Sequence, residues 1–195
     1  MKGNFFACLL VLVCRTFTVA QEDIQKKLAI AAVTLTTEKV AYDPTYFRIP
    51  YPNGDVPTGK GVCTDVVIRA FRNVGIDLQQ KVHEDMKSNF EAYPNMWGLS
   101  KPDTNIDHRR VPNLMKFFSR FGVSLPVKNV AGDYKPGDIV TWSLGRGLFH
   151  IGIVIDQKSN DGNRPLIVHN IGNGQEISDC LFLYPVLGHY RYPDF

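Results

Sequence analysis

Residues 136–156 read Pro136-Gly137-Asp138-Ile139-Val140-Thr141-Trp142, then Ser-Leu-Gly-Arg-Gly-Leu, then Phe149-His150-Ile151-Gly152-Ile153-Val154-Ile155-Asp156. Two apolar, β-branched runs of strand length separated by a glycine-containing turn predict paired strands. Strands are predicted at 138–142, 149–156, 166–171 and 186–192, with Gly/Asn/Asp turns between them. Upstream the period is helical. Ile24, Leu28, Ala31, Ala32 and Leu35 share one face of a segment over 23–38. Val66, Val67, Ala70, Phe71 and Val74 do so over 63–74, with Gly75 as the stop. Polar residues 79–92 and the run 111–121, with Val111, Leu114, Met115, Phe118 and Phe121 inward, complete the helices. Residues 42–61 and 94–112 read as ordered loops. Helices first and a strand meander afterwards predict an α+β fold with an antiparallel sheet.

The chain has 195 residues, enough for one domain. It is 44% hydrophobic and 21% charged, which excludes a wholly disordered chain. Its net charge is +3, and Lys2 and Arg15 lie in a first stretch without acids, so bulk charge gives no case for nucleic acid. No internal period suggests a solenoid or propeller. Lys2 precedes an apolar run from Phe5 to Val13, too short for a bilayer span of roughly 20 residues. Small residues Thr18-Val19-Ala20 follow. Residues 1–20 are expected to be a secretory signal cleaved near Ala20, leaving 21–195 as a single secreted or periplasmic domain with no transmembrane segment. A buried N-terminal helix is the competing reading. Cleavage leaves Cys63 and Cys180, either free or paired in one bridge.

Cys63 follows a Pro/Gly-rich loop and opens a helix, where free amides and the helix dipole favour a thiolate nucleophile. Its bland alternative is a small buried hydrophobe. In the strand 149–156, alternation puts His150 and Gly152 on one face, and glycine there leaves room for a neighbour to approach. The strand Leu166-Ile167-Val168-His169-Asn170 pairs back so that His169 or Asn170 falls beside His150. These are the parts of a nucleophile, a base and a base-orienting group. Each histidine alone reads equally as a hydrogen-bonded structural residue. His108 among Asp103, Asp107, Arg109 and Arg110 has no metal-ligand spacing. A wall holding an anionic substrate through Arg109 or Arg110, or a helix-end ion pair, fits it better. His83 beside Glu84 and Asp85 reads as a solvated helical face. No Gly-rich phosphate loop of the strand–loop–helix type is present.

Tyr51 twelve before Cys63, then Pro136–Val140, then His150-Ile151-Gly152-Ile153, then Val168-His169, together resemble the NlpC-type cell-wall cysteine peptidases of the papain-like superfamily. The resemblance spans about residues 42–172. Val62 and Thr64-Asp65 depart from the peptidases' Asp-Cys-Ser-Gly. More closely, Gly61-Val62-Cys63-Thr64-Asp65, Ile106–Asn113, His169-Asn170-Ile171-Gly172 and Gly188-His189-Tyr190-Arg191-Tyr192 are similar to the YijF-like family of secreted bacterial proteins, a domain of unknown function.

The resemblance implies a papain-like α+β fold, with N-terminal helices packed on a small antiparallel sheet. It implies hydrolysis of a cell-wall peptide or amide through Cys63 as nucleophile, His150 as base and His169 as orienting group, with Asn170 the alternative for that last role. The Cys63 amide and Tyr51 are the expected oxyanion donors. Asp65, Asp107, His108 and Arg109 are the expected substrate wall. No cofactor, metal or nucleic acid is expected. The other functional classes are a non-catalytic wall- or protein-binding module on the same fold, and an acyltransferase or esterase using the same Cys-His pair.

Overall fold

The computed structural model describes residues 24–193. The expected signal segment lies outside the described residues. Helix α1, described over 24–35, buries Leu28, Ala31, Ala32 and Leu35, and Gln25 Nε2 donates to the Tyr192 carbonyl at the far end of the chain. A short parallel pair follows, β1 (Ala41–Tyr42) with β2 (Lys60–Gly61). Helix α2 (Cys63–Asn73) buries Val66, Val67, Ala70 and Phe71 completely or nearly so. Gly75, at φ 84°, closes it, and its amide donates to the Arg72 carbonyl. Helix α3 (Leu78–Ser88) is capped by Asp77, whose carboxylate accepts from the Gln79 amide. It ends earlier than expected, and Phe90–Ala92 form a separate 3-10 turn. A second such turn, Asp107–Arg109, leads into α4 (Val111–Phe121), with Pro112 in its first turn.

The sheet has six strands in the order β3-β8-β4-β5-β6-β7, every neighbouring pair antiparallel. These are β3 (Val123–Leu125), β4 (Ile139–Gly145), β5 (Leu148–Lys158), β6 (Pro165–His169), β7 (Glu176–Ser178) and β8 (Val186–Arg191). The α+β expectation with an antiparallel sheet holds. The short edge strands β3 and β7 are additional, and β6 stops at His169, before the expected Ile171.

Alternation on the central strands divides the core. Ile139, Ile151, Ile153 and Val168 face the helices and pack with Cys63, Val67, Phe71, Leu114 and Phe118. Val140, Trp142, Val154 and Ile167 face the other way and are covered by Tyr134, Cys180 and Leu181. The sheet is therefore buried on both faces, by helices on one side and by connecting chain on the other.

Candidate functional site

His150 stands opposite Trp142 in the β4–β5 register, on the face away from the helices, with the two rings 5.7 Å apart. His169 is the last residue of β6 and lies on the same face. Gly152 makes their approach feasible. A Cβ added there would meet Ile167 Cγ2 at 2.7 Å and His169 Cβ at 3.2 Å. The space beside His150 is thus filled by His169 itself. His150 Nε2 and His169 Nδ1 share a hydrogen bond of 2.7 Å. His169 Nε2 in turn meets Ser178 Oγ at 2.5 Å, and the Cys180 sulfur lies 3.7 Å from the same nitrogen. Of the two residues weighed as partner for His150, His169 makes the contact.

Asn170 turns elsewhere. Its Nδ2 donates to the Gly61 carbonyl at 3.4 Å, and its Oδ1 accepts from the Gly172 amide. Gly61 is two residues before Cys63. Cys63 begins α2 and is buried, and the Ile151 amide donates to its sulfur together with the amides of Thr64 and Cys63. The cysteine loop is therefore held at two points, each one residue beyond a histidine of the pair: Ile151 after His150, and Asn170 after His169. Among the described residues, no hydrogen bond joins Cys63 directly to either imidazole. Both Cys63 and Cys180 are free thiols.

Burial governs the charge state of this group. It pushes the Cys63 thiol up to about 12, and the nearby Asp65 carboxylate adds to the rise; the three amides oppose it without reversing it. Burial pushes Cys180 up to about 11. Burial, with His169 as neighbour, lowers His150 to about 3, and burial also lowers His169. At neutral pH the closed site holds neutral thiols and neutral imidazoles. The helix N-terminus is present, as the sequence predicts, but desolvation outweighs it, so no resting thiolate forms.

The expected wall residues are engaged with the protein. Asp65 accepts from the Val62 amide at the start of α2 and forms a buried two-pronged ion pair with Arg109, at 2.9 and 3.0 Å. Arg109 also donates to the Thr45 carbonyl, and its own carbonyl accepts from Thr64 Oγ1. Thr64-Asp65, the departure from the peptidase pattern, thus ties the Cys63 helix to the 107–109 turn. His108 is buried and lowered to about 3, by burial first and then by Arg109. The Asp107 carboxylate accepts from the Asp103 amide at 2.5 Å and meets Arg110 at 3.4 Å.

Tyr51 is displaced from its expected position. Its ring lies against His83, 5.1 Å away, and its nearest charges are Glu84 and Asp77 of the α3 region. Tyr42 is the tyrosine beside the cysteine. It pairs with Gly61 in the β1–β2 register, and burial followed by the charges of Cys63 and Asp65 raises its hydroxyl pKa. Sequence spacing gives no signal for it, because a two-residue parallel pairing has no period.

Outside this region, His189 and Arg191 of β8 both bind the Asp138 carboxylate, His189 at 2.7 Å, with Tyr134 stacked on the His189 ring at 4.1 Å. That places His189 in a structural cluster between β8 and the start of β4. No helix among the described residues is long and apolar enough to cross a membrane.

Residues 29–192 match a family described as a domain of unknown function, DUF1287. The chain is 51% identical over 177 residues to the uncharacterized protein YijF of Escherichia coli strain K12, covering 90% of this chain and 86% of that protein. No solved structure matches the chain. The chain belongs to the DUF1287 family.

Proposed function

We propose that this member of the DUF1287 family is a secreted or periplasmic cysteine hydrolase acting on a peptide or amide bond of the cell wall. The observation that carries the chemistry is the ordered chain His150–His169–Ser178, whose sequence neighbours Ile151 and Asn170 hold the Cys63 loop at the end of the same two strands. Two proton arrangements satisfy it. In the one that leaves a base, His150 Nε2–H donates to His169 Nδ1, and His169 Nε2–H donates to Ser178 Oγ. His150 Nδ1 then carries the free lone pair of a base. Cys63 packs on the helix face of the sheet and the His150 ring on the other. In this reading substrate binding therefore brings the sulfur and His150 Nδ1 together at the open end of the sheet beside Ile151, where Cys63 gives up its proton as its sulfur attacks the acyl carbon. The C–N bond breaks, the amine leaves with that proton, and water hydrolyses the thioester. The Cys63 amide at the start of α2 and the Tyr42 hydroxyl are the oxyanion donors. Because the closed thiol is neutral, substrate entry must coincide with proton transfer to His150.

The helix-borne cysteine, the antiparallel sheet and the chain order Cys, His, His support a papain-like arrangement of the NlpC type. The cell-wall substrate and the location outside the cytoplasm rest on the signal-like first twenty residues and on that resemblance.

A second reading takes Cys180 as the nucleophile, because its sulfur lies 3.7 Å from His169 Nε2. It has the direct imidazole contact that Cys63 lacks, and its weakness lies in competition for that nitrogen and in the position of the cysteine. Ser178 occupies the same nitrogen at 2.5 Å, and Cys180 follows a short edge strand rather than opening a helix. The deciding experiment incubates the purified chain with cross-linked wall fragments and measures new free amino groups by mass spectrometry. Cys63→Ala and His150→Ala should abolish release, and Cys180→Ala should retain it. Release that survives Cys63→Ala and disappears with Cys180→Ala establishes the second reading. No release by the unsubstituted chain, with no acyl-enzyme trapped on any wall fragment, leaves the binding-module class.

A further inference from the structure

A cavity of about 340 Å³ opens between α3, the Phe90–Ala92 turn and α4, and it takes no part in the chemistry above. Phe90, Tyr93, Trp97, Asp107, Arg110 and Asn113 line it. Asn113 is 1% exposed. Its Nδ2 donates to the Asp107 carbonyl at 3.1 Å, which fixes the orientation of the amide, and its Oδ1 is buried without a partner. A buried acceptor left unpaired is costly, so an occupant that donates a hydrogen bond gains by supplying one. The carboxylate of Asp107 is 2% exposed, and its tie to Arg110 is long at 3.4 Å. Glu91 adds a further carboxylate to the lining. Arg110 lies 4.0 Å over the Trp97 ring, which holds the guanidinium at the lining as a donor with fixed orientation. The cavity therefore offers three acceptors, of which Asn113 Oδ1 is unsatisfied, then a cation, and an aromatic wall.

We propose that this cavity binds the ammonium-bearing end of a free amino acid or short peptide. The ammonium donates to Asn113 Oδ1 and the Asp107 carboxylate. A carboxylate on the same ligand pairs with Arg110, and the side chain lies against Phe90 and Trp97. The volume suits one or two residues. This assignment stands apart from the hydrolase reading and makes no use of Cys63 or the histidines.

The probe is the dipeptide alanyl-leucine, titrated into the full chain. Trp142 is completely buried whereas Trp97 is 39% exposed at the cavity, so intrinsic fluorescence reports chiefly on the site. The expected result is a saturable change that disappears in Trp97→Phe. N-acetyl-alanyl-leucine should bind at least about tenfold more weakly, because it carries no ammonium. Arg110→Met should weaken alanyl-leucine about tenfold while leaving alanyl-leucinamide, which has no carboxylate, unchanged. Thermal melting checks that variant, and if it does not fold, Arg110→Lys replaces it with the same expected ordering. Equal binding of the acetylated peptide, an undiminished response in the Arg110 variant, or no saturable response overturns the proposal. The last outcome means that water alone satisfies Asn113. Cys63→Ala should bind alanyl-leucine as the unsubstituted chain does, which separates this site from the proposed active site.

Discussion

Gly152 shows how one missing side chain arranges a pair of histidines. A methyl group at that position would also meet the Val168 carbonyl at 2.9 Å, with backbone on one side and a β-branched side chain on the other. Gly152→Ala should therefore cost about 1–3 kcal/mol by overpacking and loosen the His150–His169 bond. Urea denaturation gives the first quantity. The second should appear as lost activity at temperatures where the fold persists; wild-type stability in this variant contradicts the close approach. Tyrosine substitutions separate two neighbours of similar sequence appearance. If the chain hydrolyses wall fragments, Tyr42→Phe should lower turnover on the order of 10²-fold and Tyr51→Phe should leave it nearly unchanged. The reverse ranking removes Tyr42 from the site. Burial also predicts how Cys63 responds to alkylation. Its apparent pKa in the folded chain should lie above the free thiol's ~8.5. A rate profile with a midpoint near neutrality means that the resting site is open and ionised.

At the scale of elements, α2 begins on a buried ion pair. Asp65 holds both the Val62 amide and the Arg109 guanidinium, at 4% and 2% side-chain exposure for the two charged partners. Asp65→Asn removes one charge and leaves the other buried, at a cost of about 3–5 kcal/mol. The helix start should fray with it, so the Cys63 amide should exchange hydrogen faster than in the unsubstituted chain. A loss below about 1 kcal/mol places this pair among exposed ones and contradicts its burial. The helix itself is legible in the sequence, because Val66, Val67, Ala70 and Phe71 share a face and Gly75 follows. The four long strands are legible from alternation. Strands β3 and β7 are not, since three residues hold too little period, and they form because longer neighbours offer edges. In the site, strand pairing leaves His169 and Asn170 both open as partner of His150, and only the family resemblance selects His169, the residue that makes the contact. Tyr42 and the Asp65–Arg109 brace are not legible: each depends on contacts between segments distant in sequence, 44 residues apart in the second case. The helix N-terminus at Cys63 is visible in the sequence, but the desolvation that overrides it is a property of the packed fold.

For the molecule as a whole, the buried neutral histidines make stability depend on pH. In the unfolded chain His108 and His150 take up a proton near 6.5, whereas in the fold both are lowered to about 3. Between these values the unfolded chain binds more protons, so acid favours unfolding. Their contribution is complete above about 6.5 and falls away as the pH drops toward 3. The urea midpoint should be lower at about pH 4.5 than at about pH 7.5, and His108→Gln should flatten part of that slope. An equal midpoint at both values contradicts neutral burial. The order of strands has a separate consequence, for the timing of folding during synthesis. Strand β8, made of residues 186–191, lies between β3 and β4, inside the sheet, and Tyr190 and Tyr192 complete the aromatic cluster with Phe71, Phe117 and Phe118. A chain growing from its N-terminus has its helices and the β4–β5 hairpin available early, but the strand that joins β3 to them follows every other strand of the sheet. The sheet therefore stays unfinished until residues 186–191 have left the ribosome, an interval in which the nascent chain can be handed to a chaperone or threaded through a pore.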